Sequence, residues 1–107
     1  MDDTTEDAYF EVSLDDTAVP PLVAASGELD AASSTRLGEA LDTALSGGAG
    51  LSLDLGAVTF IDSSALRVVT AALRRASDGE QPFTVIAASD AVRRIFEITG
   101  VSSLLAP

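Results

Sequence analysis

LSLDLGAVTFIDSSALRVVTAALRRA, residues Leu51 to Ala76, changes its hydrophobic period once, and that change decides the fold. In Leu51–Leu55 the apolar Leu51, Leu53 and Leu55 alternate with Ser52 and Asp54, the period of a strand with one buried face. Further on, Leu66, Val69, Leu73 and Ala76 share one helical face, and Arg67, Ala71, Arg74 and Asp78 share the opposite one. The stretch is therefore expected to form a strand, a short turn and an amphipathic helix. Asp62-Ser63-Ser64 stands where the helix begins. Asp and Ser satisfy the unpaired N–H groups of a helix start. A carboxylate and two hydroxyls then lie at the positive end of a helix dipole. Any chemical site of this chain is expected there.

Before this stretch, Tyr9–Leu14 alternates as a half-buried strand, with Phe10, Val12 and Leu14 on its inner side. Asp15-Asp16-Thr17 supplies a turn. Leu22–Gly27 is a second, small-residue strand, short enough to pair antiparallel with the first, and Pro20 and Pro21 precede it. Asp30 is the expected cap of a first helix with Leu37, Ala40, Leu41, Ala44 and Leu45 on its apolar face, ended by Gly47-Gly48. After it, Asp78-Gly79 closes the second helix, and Phe83–Ala88 forms a further strand. Ser89 caps a third helix with Val92, Ile95, Phe96 and Thr99 inward, and Gly100 stops it. Arg93 and Arg94 precede Glu97 at helical spacing, which predicts a solvated ion-pair face. Val101–Pro107 can add a last short extended piece.

The order β-β-α-β-α-β-α implies parallel β-α-β units with right-handed crossovers. Strands covered on both faces are usually continuous apolar runs, whereas Tyr9–Leu14 and Leu51–Leu55 alternate. The expected α/β fold is therefore a β-α superhelix, with a mixed four- to five-stranded sheet and helices mainly on one face. Residues 1–8 read as a mobile acidic tail and residues 9–107 as a single domain.

Composition narrows the function. Seventeen acidic against six basic residues give a net charge of −11. Such a surface repels phosphate backbones and anionic lipid, so neither nucleic acid nor membrane is an expected partner. A protein with a neutral or basic patch is. No Cys is present, so there is no disulfide framework or thiolate site. No His is present, which removes the commonest general base and metal ligand. No apolar run approaches the ~18 residues of a membrane span, and the acidic start is unlike a signal peptide, so a cytoplasmic protein is expected. The GELD and SGGAG turns match no phosphate-cradling fingerprint, and no cofactor or metal is expected.

Catalysis by Ser63 lacks a base, because the chain has no His and its six basic residues are all Arg. Asp30 and Asp62 could in principle do acid–base work, but carboxylates at helix starts are ordinarily caps. Capping alone accounts for Asp62-Ser63-Ser64. The functional alternative is a phosphoacceptor serine, whose phosphate adds about −1.5 to −2 charges at a helix N-terminus. The dipole and unpaired N–H groups tolerate that charge, while a partner docked on the neutral hydroxyl does not.

Together these segments resemble the STAS domains, and among them the stand-alone anti-sigma factor antagonists. SGELDAASSTRL (Ser26–Leu37) is similar to the family's G-E-L-D segment opening the first helix. LSLDLGAVTFIDSSALRVV (Leu51–Val69) resembles its strand–turn–D-S-S–helix signature, and FTVIAASDAVRRIFEITG (Phe83–Gly100) its late strand and helix. The resemblance implies a non-enzymatic regulator whose serine after the aspartate, here Ser63, is phosphorylated by a partner that is both anti-sigma factor and serine/threonine kinase. Unphosphorylated, such a domain binds the kinase and frees the sigma factor. Phosphorylated, it lets go, and a serine phosphatase resets it. The implied partner surface comprises Gly27, Glu28 and Asp30 of the first turn with Asp62, Ser63, Ser64 and Arg67. A constitutive STAS interaction module of a transport or stress-signalling complex is the alternative.

Three departures from the family pattern stand out. Ala65 and Arg67 replace glycines of the family's D-S-S-G-L-G, and alanine favours helix by about 1 kcal/mol over glycine. Arg67 also lies four residues after Ser63, on the same side of the helix. The sequence stops at Pro107, short of the family's usual last helix, so an open edge or core margin is expected.

Overall fold

The computed structural model describes residues 10–100. The elements are β1 (Phe10–Asp15), β2 (Leu22–Leu29), α1 (Ala31–Leu45), β3 (Leu51–Ile61), α2 (Ser63–Asp78), β4 (Phe83–Ala88) and α3 (Asp90–Thr99). The expected tail at residues 1–8 and the closing Val101–Pro107 lie outside the described residues.

β1 pairs antiparallel with β2, from Phe10 opposite Gly27 to Asp15 opposite Leu22. β2–β3 and β3–β4 are parallel, and the strands lie side by side in the order β1-β2-β3-β4. That order follows from successive crossovers of one hand on one side of a sheet. Leu51, Leu53 and Leu55 share one core with Leu37 and Leu41 of α1, Val69 and Ala76 of α2, and Val92 and Phe96 of α3. All three helices therefore cover one face, as the alternation predicts. Ser52 and Asp54 are half-buried on the other face, where Glu11, Ser13, Ala24, Ser26, Asp54 and Ala57 border a shallow depression.

Two details differ from the pattern-based expectation. The residues after Leu55 are not a turn, because β3 continues to Ile61. Its register against β2 slips between Ala24 and Ser26 and again between Gly27 and Glu28. Each slip places one extra residue on β3, a bulge that resets which side chains face inward. The buried positions pass from Leu51, Leu53 and Leu55 to Val58 and Ile61, a spacing that strict alternation does not reveal. On α2 the deepest stripe is Ala65, Val69, Ala72 and Ala76, whereas Leu66 and Leu73 are only half-buried at its margins.

The expected ion pairs of Arg93 and Arg94 with Glu97 are not formed. Among the described residues the one salt bridge joins Arg75 of α2 to Asp42 of α1 at 2.7 Å, an exposed pair that contributes roughly 0–1 kcal/mol. Arg93 instead donates through Nε to the Ala88 carbonyl at 3.2 Å.

The edge where the parallel strands begin is tied by Gln81. Its Nε2 donates to the Leu45 carbonyl at 3.1 Å, and its Oε1 accepts from the Gly50 N–H at 3.0 Å. One side chain thus satisfies the end of α1 and the entry to β3. Gln81→Ala is expected to lower stability by about 1–3 kcal/mol, because two part-buried backbone groups lose their partner. Urea denaturation measures it, and a change below about 0.5 kcal/mol would mean that water replaces the amide without loss.

Candidate functional site

At the opposite edge, where the parallel strands end, two helix starts stand side by side. Leu29 and Ile61 are register partners, and the Asp62 N–H donates to the Leu29 carbonyl at 3.0 Å. The next residue after Leu29 is Asp30 and the next after Ile61 is Asp62, so both caps sit on neighbouring strand ends. Strand spacing of about 4.8 Å sets their separation. The expectation that Asp30 lies beside Asp62 and Ser63 follows from this pairing.

Asp30 caps α1 through a reciprocal arrangement. Its Oδ1 accepts from the N–H groups of Ala32 at 3.0 Å and Ser33 at 3.1 Å. In return the Asp30 N–H donates to Ser33 Oγ at 2.9 Å, and that hydroxyl donates to the Glu28 carbonyl at 2.9 Å. The buried Ser33 hydroxyl thereby ties the Gly27–Asp30 turn to the first turn of α1. Sequence reasoning on Asp30 alone passed over Ser33, although its signal, a serine three residues after the cap, is present in the chain.

The second helix start is built differently. The Asp62 carboxylate accepts from the Ala65 N–H at 3.1 Å, and Ala65, the third helical residue, is fully buried. The Ala65 methyl group is thus part of the core. The hydroxyls fall on the two preceding residues instead. Ser63 is exposed and Ser64 half-buried, and neither hydroxyl has a hydrogen-bond partner among the described residues. The N–H groups of Ser63 and Ser64 belong to the first turn and have no intrahelical acceptor. Gly27 is half-buried, Glu28 is exposed, and Arg67 is exposed one turn beyond Ser63. The structure therefore brings all seven expected surface residues to one edge, with Ser63 the most accessible hydroxyl of the pair.

The electrostatics of Asp30 fit a helix cap. The Ser33 N–H is the first cause holding the Asp30 carboxyl below its ordinary value of 3.8. A lowered folded-state value means that this stabilisation is complete above pH 3.8. It is lost as the pH falls through 3.8 and then through the folded-state value, because the unfolded chain takes up the proton first. Asp30→Ala is expected to cost about 1 kcal/mol at neutral pH. It should also flatten the acid limb of the stability profile, and denaturation at pH 7 and pH 3 reads both. An unchanged acid limb would remove Asp30 from the acid response. No group of acidic side chains among the described residues could hold a metal ion, and none of their helices is long and apolar enough to cross a membrane.

Comparisons with known proteins agree with this fold. A family model described as "Mlab, STAS domain" matches residues 12–106. The anti-sigma-B factor antagonist of Listeria monocytogenes is 32% identical over 81 residues, which cover 75% of this chain and 71% of that one. The anti-sigma-B factor antagonist of Staphylococcus aureus is 26% identical over 106 residues, covering 98% of this chain and 88% of that one. A solved anti-sigma factor antagonist from Mycobacterium paratuberculosis superimposes with a TM-score of 0.80 at 27% identity, over 92% of this chain and 86% of that one. The Bacillus cell fate determinant SpoIIAA, solved in a phosphorylated form, shares the fold at a TM-score of 0.73 and 19% identity, over 90% of this chain and 89% of that one.

Proposed function

This chain belongs to the STAS domain family, and from that premise we propose that it is an anti-sigma factor antagonist switched at Ser63. It is a binding protein and not an enzyme. In its unphosphorylated state it docks on a cytoplasmic anti-sigma factor serine/threonine kinase through Gly27, Glu28, Asp30, Asp62, Ser63, Ser64 and Arg67, and so releases a sigma factor. The kinase transfers the γ-phosphoryl group of ATP to the Ser63 hydroxyl, whose proton leaves, and ADP departs. A serine phosphatase returns the neutral hydroxyl by hydrolysis.

The single observation that carries this reading is the Ser63 hydroxyl, exposed and unpartnered among the described residues, at the start of a capped helix. The names of the relatives and the phosphorylated form of one fold neighbour support it. The added phosphate leaves the fold intact, since the helix dipole and Arg67 both favour negative charge there. Its cost falls on the complex, where charge meets a surface that had accepted a neutral group.

Incubation with the source bacterium's anti-sigma factor kinases and ATP, followed by mass spectrometry, tests the assignment. Phosphate on Ser63 and none on Ser64 is expected. Phosphate on Ser64 alone, or on neither, would overturn it, and in the second case the constitutive module takes its place.

A further inference from the structure

β3 overruns β4. The last register pair is Leu55 with Ala88, and the Ser89 N–H donates to the Leu55 carbonyl at 3.2 Å. The remaining residues of β3, Gly56 to Ile61, therefore continue alongside α3 rather than along β4. Thr59, Phe60 and Ile61 of β3 and Ala91, Arg94, Ile95 and Ile98 of α3 border a groove between them. Phe60 is 49% exposed and Ile98 73%, two of the four large apolar side chains that the described surface leaves open. A paired apolar opening of this kind differs from scattered surface hydrophobes. It is continuous with the switch, because Phe60 and Ile61 lead directly into Asp62 and Ser63.

Two arginines near the groove stand out in a chain of net charge −11. Arg94 borders the groove and Arg67 stands one turn past Ser63, and among the described residues neither is in an ion pair.

We infer that this groove is the second half of the docking surface, receiving an apolar side chain of the anti-sigma factor kinase flanked by carboxylates that face Arg94 and Arg67. The inference rests on the function proposed above and adds the partner's chemistry. A rim of kinase carboxylates facing Arg94 and Arg67 is attracted to them while Ser63 is neutral. The same rim repels the dianion that phosphorylation places beside it. One patch of partner charge thus accounts for both docking and release.

The test uses the full chain and the source bacterium's anti-sigma factor kinase that binds unphosphorylated wild type. Ile98→Ser and Arg94→Glu alter exposed side chains and should melt near wild type. Each is expected to weaken kinase binding at least tenfold and to raise KM for Ser63 phosphorylation with kcat retained. The Arg94→Glu deficit should shrink as salt rises, and the Ile98→Ser deficit should persist. Wild-type affinity for both variants, with Ser63→Asp still binding poorly, would overturn the groove and leave the switch standing. A lowered melting temperature for Ile98→Ser at unchanged affinity would assign the groove to residues 101–107 of this chain. A change in sedimentation at unchanged affinity would assign it to a second copy, and either result overturns the inference. If no kinase binds wild type, or Ser63→Asp binds as tightly, the underlying reading fails and the groove assignment with it.

Discussion

Ser63→Asp is expected to lower affinity for the anti-sigma factor kinase a hundredfold or more while the protein melts near wild type. The side chain at Ser63 is exposed and hydrogen-bonds to nothing among the described residues, so its replacement removes no internal contact. A carboxylate in the first turn is favoured by the dipole by roughly 0.3–1 kcal/mol, which offsets any local cost. At the interface the balance reverses. A buried or like-charged carboxylate costs a few kcal/mol there, and each ~1.4 kcal/mol is a factor of ten in Kd. Ser63→Ala should bind the kinase as wild type does and accept no phosphate, and Ser64→Ala should still be phosphorylated. Titration calorimetry and thermal melts separate the two effects. Tight binding by Ser63→Asp would leave a constitutive interaction module as the reading.

Gly50→Ala is expected to cost about 3–5 kcal/mol and to leave the protein close to unfolding. Gly50 adopts φ +91°, a backbone region that side chains other than glycine rarely enter. A Cβ there would collide with the Pro82 carbonyl oxygen and stand 2.6 Å from Pro82 Cγ. Neither neighbour can move aside cheaply. The Pro82 carbonyl accepts from the Leu51 N–H at 2.9 Å, and the Gly50 N–H is held by Gln81. Relief of the contact therefore breaks the pairing at the start of β3. Chemical denaturation reads the loss, and a cost under about 1 kcal/mol would show that the β3–β4 entry is slack.

Much of this architecture is legible in the chain because capping and alternation are local. Asp30, Asp62 and Ser89 each cap the helix that follows them, as residue type and spacing predict. Gly100, at φ +84°, ends α3 in the left-handed conformation expected of a terminal glycine. The alternation of Leu51, Leu53 and Leu55 places all helices on one face, which excludes a doubly wound sheet. What escaped sequence reasoning depends on distant parts of the chain. The bulges of β3 arise from pairing with β2, so the inward positions Val58 and Ile61 break a period of two. The inner stripe of α2 falls on alanines because the helix is rotated against the sheet, and hydrophobicity alone puts Leu66 and Leu73 first.

The candidate site shows the same division. Asp62-Ser63-Ser64 is readable as a helix start, and adjacent crossovers bring Asp30 beside it. Which serine is open is a matter of helix phase, visible only once Ala65 is seen buried in the core. The Ser33 hydroxyl and the Phe60–Ile98 groove depend on the turn at Glu28 and on the overrun of β3 past β4.

In the proposed switch, phosphate on Ser63 dissolves a complex without altering the domain. The most direct measurement compares the dissociation constant of the kinase for unphosphorylated wild type and for protein phosphorylated stoichiometrically at Ser63, at one ionic strength. An affinity at least a hundredfold lower is expected for the phosphorylated form, with both forms melting within a few degrees of each other. Equal affinities, or a loss of affinity explained by unfolding of the phosphorylated domain, would contradict it.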